Sequence, residues 1–274
     1  MLTLKAALEE ATAAIGRVDA QVLVSHMLGV DRAYLVANPM RVLTETEDAR
    51  IDSVVARRSM GHPVAYLVGT REFYSREFAV GPEVLIPRPE TETLVEAALA
   101  RLAPHAAVLD LGAGCGAIGI TIACERPEAK VTCTDVSEAA LALAAANARA
   151  LGCDSRVRFA RGSWYEAVPG ERFDAIVSNP PYVAAGDAHL AQGDLRFEPA
   201  NALTDGSPDG LGSIRVIVAG AREHLNPGGW LLFEHGYDQA DAAAAILQAA
   251  GFTECARIRD LAGIDRVAGG KMAR

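Results

Sequence analysis

The chain has 274 residues, half of them hydrophobic, and a formal net charge of −9. This length exceeds that of most single domains and predicts one large and one small domain. The acidic balance argues against a broad binding surface for duplex nucleic acid. No apolar run reaches the roughly 18 residues of a membrane span, and the first residues lack a signal-peptide pattern. We therefore expect a soluble cytoplasmic protein without a membrane partner.

The cysteines are odd in number and scattered, and no two are spaced as C-x-x-C. They are Cys115, Cys124, Cys133, Cys153 and Cys255. This pattern favours neither a disulfide framework nor a zinc site. We expect reduced thiols in or near the core, and no metal.

Residues 3 to about 60 carry apolar side chains at spacings of three and four, which predicts four or five short helices. Thr44 and Glu47 form a capping box that starts one of them. The predicted breaks lie near Gly29, Pro39 and residues 61–63. His26 lies on an apolar helix face, which predicts a packed core histidine. Residues 1–70 hold seven Lys/Arg and eight Asp/Glu, so this helical domain, assigned to residues 1–63, is nearly neutral.

Residues 64–86 are expected to link the two domains. Aromatic residues on both sides of Ser75-Arg76 predict a β-hairpin over residues 71–80. The larger domain, residues 87–274, begins at Pro87. A proline in a first helical turn and the acidic Glu90 favour a helix start there. Arg88 and Glu90 can be interpreted as a solvated helix cap.

From residue 106 onward the sequence alternates between strands and helices, which is typical of a doubly wound, mostly parallel sheet. Helices are predicted after residue 116 and over residues 138–151, 210–225 and 238–250. Seven strands are predicted, over residues 107–111, 131–134, 156–160, 173–178 and 230–234 and near 253–257 and 266–268.

A glycine-rich turn follows the first of these strands. It consists of Gly112, Ala113, Gly114, Cys115 and Gly116. The next strand ends in Asp135, about twenty residues on. This spacing lets the backbone approach a nucleoside while the carboxylate accepts the ribose hydroxyls. Dinucleotides and S-adenosylmethionine both use such a layout. The acid-x-G-x-G form led by Asp110 resembles motif I of S-adenosylmethionine-dependent methyltransferases and favours the second cofactor.

The strand over residues 173–178 ends in Asn179-Pro180-Pro181-Tyr182. The prolines carry no N–H, so this turn offers carbonyl acceptors, an amide and a flat ring. Such a set can hold a planar NH2 group, although an ordinary proline turn with an aromatic plug has the same sequence. The loop over residues 183–208 is long enough to be a lid. In the loop after residue 161, Trp164 is either a cofactor contact or a half-buried anchor.

Eight segments resemble the peptide chain release factor glutamine N5-methyltransferases, the HemK/PrmC family, and the resemblance covers essentially the whole chain. They are GHPVAYLVG from Gly61, EF from Glu72, VLIPRPETE from Val84, DLGAGCG from Asp110, NPPY from Asn179, and the later EP, AL and DGL segments from Glu198, Ala202 and Asp209. The VLIPRPETE segment is more specific than NPPY.

The resemblance implies a class I methyltransferase domain with a helical substrate-docking domain. It implies methyl transfer from S-adenosylmethionine, leaving S-adenosylhomocysteine, to the glutamine of the Gly-Gly-Gln loop in class 1 release factors. The implied cofactor contacts are Gly112, Ala113, Gly114, Cys115, Gly116, Asp135, Trp164 and Asn179, and the implied substrate contacts are Asn179, Pro180, Pro181 and Tyr182. Asn179, Pro180 and Tyr182 are the implied catalytic residues. Ala113 and Cys115 occupy positions where the family often has hydroxyl side chains, and Ser207-Pro208 is also atypical.

Two rival functions remain. An N-methyltransferase acting on adenine N6 or guanine N2 could use the same turn on a flipped base, but the near-neutral helical domain offers no basic surface. A catalytically silent binding module would not need the complete set of Asp110, the glycine turn, Asp135 and Asn179. We expect an enzyme that acts as a monomer on a protein substrate, without direct nucleic-acid contacts.

Overall fold

The computed structural model describes residues 2–273. The chain forms two compact units. The first runs to Thr70 and includes Gln192–Phe197, and the second comprises Arg71–Ala191 and the chain from Glu198 onward. The helical unit therefore extends beyond the predicted boundary at residue 63 and contains a segment of the predicted lid loop. Sequence patterns do not reveal that segment, because its membership depends on long-range contacts.

Among its described residues, the first unit contains five α-helices, in agreement with the predicted pattern. They are α1 (Leu4–Ile15), α2 (Arg17–Leu28), α3 (Arg32–Ala37), α4 (Glu45–Ser59) and α5 (Val64–Val68). Thr44 and Glu47 form the predicted capping box at the start of α4. Gly29, in the left-handed conformation, ends α2 as predicted. The break at Gly16 between α1 and α2 was not predicted.

The prediction that His26 is packed in the core is wrong, because its side chain is exposed. Helix α2 buries Ala20, Leu23 and Val24. At 100° per residue, position 26 lies about 120° from the centre of that stripe. The apolar neighbours of His26 in sequence therefore do not surround it in space.

The predicted hairpin is present, with strands β1 (Thr70–Phe73) and β2 (Arg76–Ala79). Its turn residues are Tyr74 and Ser75, both with positive φ, as in the type I′ turns that suit hairpins. The predicted turn at Ser75-Arg76 was one residue too late.

The second unit is built on a seven-stranded sheet, and the predicted fold class is confirmed. Its strands are β3 (Ala107–Leu111), β4 (Lys130–Asp135), β5 (Val157–Arg161), β6 (Phe173–Ser178), β7 (Leu225–Glu234), β8 (Thr253–Arg259) and β9 (Asp265–Lys271), in the order β5-β4-β3-β6-β7-β9-β8. Strands β3 to β7 are parallel, and β9 pairs antiparallel with β7 and β8. The order reverses at β3, between β4 and β6.

The described part of this unit contains six α-helices: α6 (Glu92–Leu99), α7 (Ala117–Glu125), α8 (Glu138–Ala150), α9 (Ala200–Leu203), α10 (Gly212–His224) and α11 (Ala240–Ala249). Side chains of α10 and α11 form one core cluster with β3, β6 and β7, including Leu109, Ile176, Ile214, Phe233 and Leu247. This cluster fixes the central strands whose carboxyl ends carry the predicted site. Within residues 2–273, no helix is long and apolar enough to cross a membrane.

Strand β7 begins five residues earlier than predicted. It starts at Leu225, and its register against β6 is irregular between Phe173 and Ala175. The Asn226-Pro227-Gly228-Gly229 segment therefore bulges within the strand instead of preceding it. Asn226 donates from Nδ2 to Oδ1 of Asp174 at 2.8 Å, which stabilises the bulge.

The cysteines only partly match the predicted burial. All five are free; Cys115, Cys133 and Cys153 are buried, Cys124 is half-buried and Cys255 is exposed. The exposed position of Cys255 contradicts the prediction. Cys255 is exposed because it lies on β8, which is an edge strand of the sheet.

Candidate active site

The carboxyl ends of β3, β4 and β6 border one cavity, at the place where the strand order reverses. This is where open α/β sheets bind ligands. Of the predicted site residues, the cavity is lined by Gly112, Ala113, Gly114, Cys115, Asp135, Trp164, Asn179 and Pro181. Gly116, Pro180 and Tyr182 are not among the lining residues. Gly116 precedes α7, and Pro180 is buried.

The glycine turn requires glycine for two reasons. Gly112, Gly114 and Gly116 all have positive φ, which side chains with a Cβ adopt at a cost. A Cβ at Gly116 would also lie 2.4 Å from Cδ1 of Ile120. The backbone N–H groups of Gly112 and Ala113 both donate to the carbonyl of Thr134, at 2.9 Å, so the turn is fastened to β4.

Asp135 stabilises the turn and still has capacity for a ligand. Its Oδ2 accepts from the Gly114 N–H at 2.9 Å, and its Oδ1 accepts from the Ser137 N–H at 2.9 Å. A carboxylate has about four lone-pair sites. Two remain, which suits two ribose hydroxyls.

Asp110 lies beneath the turn and is fully buried. Its Oδ2 accepts from the Gly119 N–H at 2.9 Å, while Oδ1 has no partner among the described residues. Burial raises the pKa of Asp110 to about 7, the Gly119 hydrogen bond opposes this shift, and the charge of Asp135 adds to it. The glycine turn therefore lies over a buried carboxyl group that can gain or lose a proton near neutral pH.

Trp164 covers part of the glycine turn. Its backbone has a φ of 48° at the start of a 3-10 turn, and its side chain is half-buried. The ring atom Cζ3 lies 3.7 Å from the position of a Cβ at Gly112. A flat apolar surface at this place suits a nucleoside base, which is one of the two roles that the sequence left open for Trp164.

The charge of the cavity fits a cation. Among its lining residues within the described chain, the acidic side chains are Glu83 and Asp135, and none is Lys or Arg. A negative lining attracts a sulfonium and disfavours a pyrophosphate. Together with the free lone pairs of Asp135 and the apolar wall at Trp164, this lining fits S-adenosylmethionine.

On the other side of the cavity, hydrogen bonds between side chains hold the Asn-Pro-Pro-Tyr turn. Asn179 Nδ2 donates to Thr91 Oγ1 at 3.2 Å, and Thr91 Oγ1 donates to Glu234 Oε2 at 2.6 Å. Tyr182 Oη donates to Glu234 Oε1 at 3.0 Å. Gln239 Nε2 donates to the backbone carbonyl of Tyr182 at 3.0 Å. Both ends of the turn are therefore fixed.

The interpretation of Arg88 as a solvated helix cap is wrong, because Arg88 pairs with the carboxylate of Glu198. Glu198 is buried, forms an ion pair with Arg88 and accepts from the Ile86 N–H at 3.0 Å. The predicted lid loop is thus anchored at residue 198 to the VLIPRPETE segment. Pro199, Asn201 and Ala202, just after this anchor, line the cavity.

Sequence reasoning missed three supporting residues: Thr91, Glu234 and Asn147. Asn147 Oδ1 accepts from the Ala79 N–H at 2.8 Å, and Nδ2 donates to the carbonyls of Ala79 and Cys115 at 3.0 and 2.9 Å. It therefore joins the hairpin to the glycine turn. The available signals were a lone Asn in an alanine-rich helix and a Glu that ends an apolar strand.

Comparisons with known proteins decide the family. The family model "PrmC N-terminal domain" matches residues 3–69, and "Methyltransferase small domain" matches residues 89–207. The release factor glutamine methyltransferase of Xylella fastidiosa (strain Temecula1) is 51% identical over 97% of this chain and 97% of its own length. That of Bordetella pertussis is 52% identical over 93% of this chain and 94% of its own.

The chain belongs to the release factor glutamine methyltransferases. The family predicted from the sequence is thus confirmed, and so is the enzyme class, an S-adenosylmethionine-dependent methyltransferase. A solved methyltransferase from Pyrococcus furiosus shares the fold, with a TM-score of 0.56 at 20% identity over 80% of this chain and 98% of that one. A Thermus thermophilus 16S rRNA N2 G1207 methyltransferase has a TM-score of 0.53 at 21% identity, over 74% of this chain and 49% of that one.

Proposed function

We propose that this protein transfers a methyl group from S-adenosylmethionine to the side-chain amide nitrogen of the glutamine in the Gly-Gly-Gln motif of class 1 peptide chain release factors. The observation that carries the proposal is the orientation of Asn179. It lines the same cavity as Asp135 and the glycine turn, and Thr91 engages its NH2 group. Its carbonyl oxygen is thereby left for an acceptor amide.

A carboxamide nitrogen is a poor nucleophile because its lone pair is delocalised into the carbonyl group. In the proposed mechanism, Asn179 Oδ1 and the backbone carbonyl of Pro180 accept the two hydrogens of the substrate amide. These acceptors stabilise the positive charge that grows on nitrogen. The cofactor supplies an electrophilic methyl group on a sulfonium.

The remaining residues orient and enclose the reactants. The glycine turn and Asp135 would hold the cofactor in the cavity that Asn179 also lines, so that proximity to the substrate amide favours methyl transfer. Tyr182 would pack against the plane of the substrate amide, and Trp164 against the adenine. The nitrogen loses its extra proton to water after alkylation, so the mechanism needs no dedicated general base.

The helical unit is the proposed docking domain for the release factor, and the protein acts as a monomer in the cytoplasm without a nucleic-acid component. Docking through a near-neutral domain suits a protein partner better than a polyanion. The exposed apolar side chains of this unit include Val18, Val36, Met40 and Met60.

Methyl transfer from labelled S-adenosylmethionine tests the proposal. The acceptors are a purified class 1 release factor, the same factor with the Gly-Gly-Gln glutamine replaced by Ala, and total tRNA, rRNA and DNA. We expect label on the unaltered factor alone. Label on nucleic acid, or on both forms of the factor, would refute the assignment.

A further inference from the structure

The acceptor turn depends on a carboxylate that lies outside every motif of the sequence analysis. Glu234 is the last residue of β7 and is fully buried. Both of its oxygens accept hydrogen bonds, Oε2 from Thr91 at 2.6 Å and Oε1 from Tyr182 at 3.0 Å. Thr91 in turn accepts from Asn179. Glu234 is therefore connected to both polar side chains of the turn.

The direction of donation along this series of hydrogen bonds follows from the chemistry of the groups that form it. An ionised carboxylate can only accept, and a threonine hydroxyl has one hydrogen to donate. Thr91 gives that hydrogen to Glu234, so its oxygen can only accept from Asn179. The NH2 group of Asn179 must therefore face Thr91, and its carbonyl oxygen must face away.

We infer that Glu234 is a positioning residue, whose ionised carboxylate sets the direction of the hydrogen-bond chain so that Asn179 presents its oxygen to the acceptor amide. This inference rests on the proposed function, in which that oxygen accepts an amide hydrogen. If Glu234 takes up a proton from solvent, it can donate to Thr91, and Thr91 can then donate to Asn179 Oδ1. The amide of Asn179 turns over, and its NH2 group faces the NH2 group of the substrate.

The surroundings of Glu234 make this reversal accessible. Burial raises the pKa of Glu234, and so does the charge of Glu90, whereas Arg266 and the two hydroxyl donors lower it. Burial also raises the pKa of Tyr182, so Tyr182 stays a donor throughout. The active form therefore predominates above the raised pKa of Glu234 and is lost as the pH falls through it.

The first test is the pH profile of kcat at saturating cofactor for the wild type, Glu234→Gln and Ser178→Ala. Ser178 is a matched control, since it is buried beside Asn179 and donates to the carbonyl of Leu111 at 2.8 Å. We expect an acid limb in the wild type and in Ser178→Ala. Glu234→Gln should lose this limb and lower kcat about 10-fold, because its amide can donate to Thr91. An unchanged acid limb in Glu234→Gln would overturn the inference.

Two variants of Thr91 test the inference even if Glu234→Gln fails to fold. Thr91→Val keeps the shape of the side chain and removes the hydroxyl, while Thr91→Ser keeps the hydroxyl. We expect Thr91→Val to lower kcat about 10- to 100-fold with cofactor affinity within about threefold of wild type, and Thr91→Ser to recover most of kcat. A loss in Thr91→Val no larger than in Ser178→Ala would contradict the inference.

A third readout separates this inference from the proposed function. In protein labelled with 15N-asparagine, the side-chain amide signals of Asn179 are assigned by their loss in Asn179→Ala. We expect them to titrate in the wild type with the midpoint of the acid limb and to stay constant in Glu234→Gln. Titration without release factor methylation would refute the function alone. Methylation without titration would refute the inference alone.

Discussion

The two sides of the cavity are built by different means. On the cofactor side, backbone groups shape the glycine turn: Gly112, Gly114 and Gly116 adopt positive φ, and Asp135 accepts from backbone N–H groups. On the acceptor side, Asn179 is oriented by side chains, Thr91 and Glu234, that come from two other elements. A backbone-built site is encoded locally, whereas a side-chain network exists only after the chain has folded.

The largest expected effect comes from removing the amide on the acceptor side. Asn179→Ala should lower the methylation rate about 10²- to 10³-fold, because one charge-stabilising acceptor is lost, with cofactor affinity changed by less than about threefold. Single-turnover methylation and cofactor titration measure the two quantities. Asn226→Ala, which alters an asparagine in the β7 bulge, is the control. Equal losses of methylation rate and cofactor affinity in Asn179→Ala would show that the cofactor side and the acceptor side of the cavity do not act independently.

The buried carboxyl group under the glycine turn should make stability depend on pH. Burial raises the pKa of Asp110 in the native protein to about 7, above its ordinary value of 3.8. Between these values the native state holds a proton that the unfolded state has released, so stability falls as the pH rises. Asp110→Asn removes this penalty, and we expect its stability relative to wild type to rise by about 4 kcal/mol between pH 4 and pH 8.

Urea unfolding of the cofactor-free protein at several pH values measures this difference, and Asp238→Asn, at an exposed position, is the control. A difference that does not change with pH would mean that Asp110 is already ionised in the native protein.

On the cofactor side, the carboxylate should contribute to affinity more than to turnover. Asp135→Asn keeps the size of the side chain but halves its acceptor capacity. We expect the dissociation constant for S-adenosylmethionine to rise 10- to 100-fold, which corresponds to a loss of about 1.5–3 kcal/mol of binding free energy. At saturating cofactor, methylation should be largely retained. Calorimetric titration measures the affinity. Glu138→Gln, whose side chain is 83% exposed, should bind as the wild type does. A large loss of turnover in Asp135→Asn at saturation would contradict this division.

The smallest expected effect concerns the support of the glycine turn. Asn147→Ala removes the hydrogen bonds to Ala79 and Cys115. We expect a loss of about 1–3 kcal/mol in the free energy of unfolding and an approximately 3- to 10-fold weaker cofactor affinity. Arg149→Ala, on the exposed face of the same helix, should change neither. Unaltered cofactor affinity in Asn147→Ala would mean that the backbone of the turn holds its shape alone.

Sequence periodicity predicted most of the fold, because local patterns determine most element boundaries. The seven strands, the five N-terminal helices and the capping box at Thr44 are all present. The errors lie where a residue's environment depends on distant elements. His26 has apolar sequence neighbours but is exposed, and the bulge at Asn226 is held by Asp174 of another strand.

By itself, the sequence determined the glycine turn, the acid at the end of β4 and the Asn-Pro-Pro-Tyr turn, since each depends on a short run of residues after a strand. Only the tertiary structure decided which groups orient them. Asp110 loses its hydration under the glycine turn, and Asn147 reaches Cys115 from α8. Glu234 lies 52 residues from Tyr182 and 143 from Thr91. Hydrogen bonds across such separations form only when the sheet brings its strand ends together, so no local pattern could predict them.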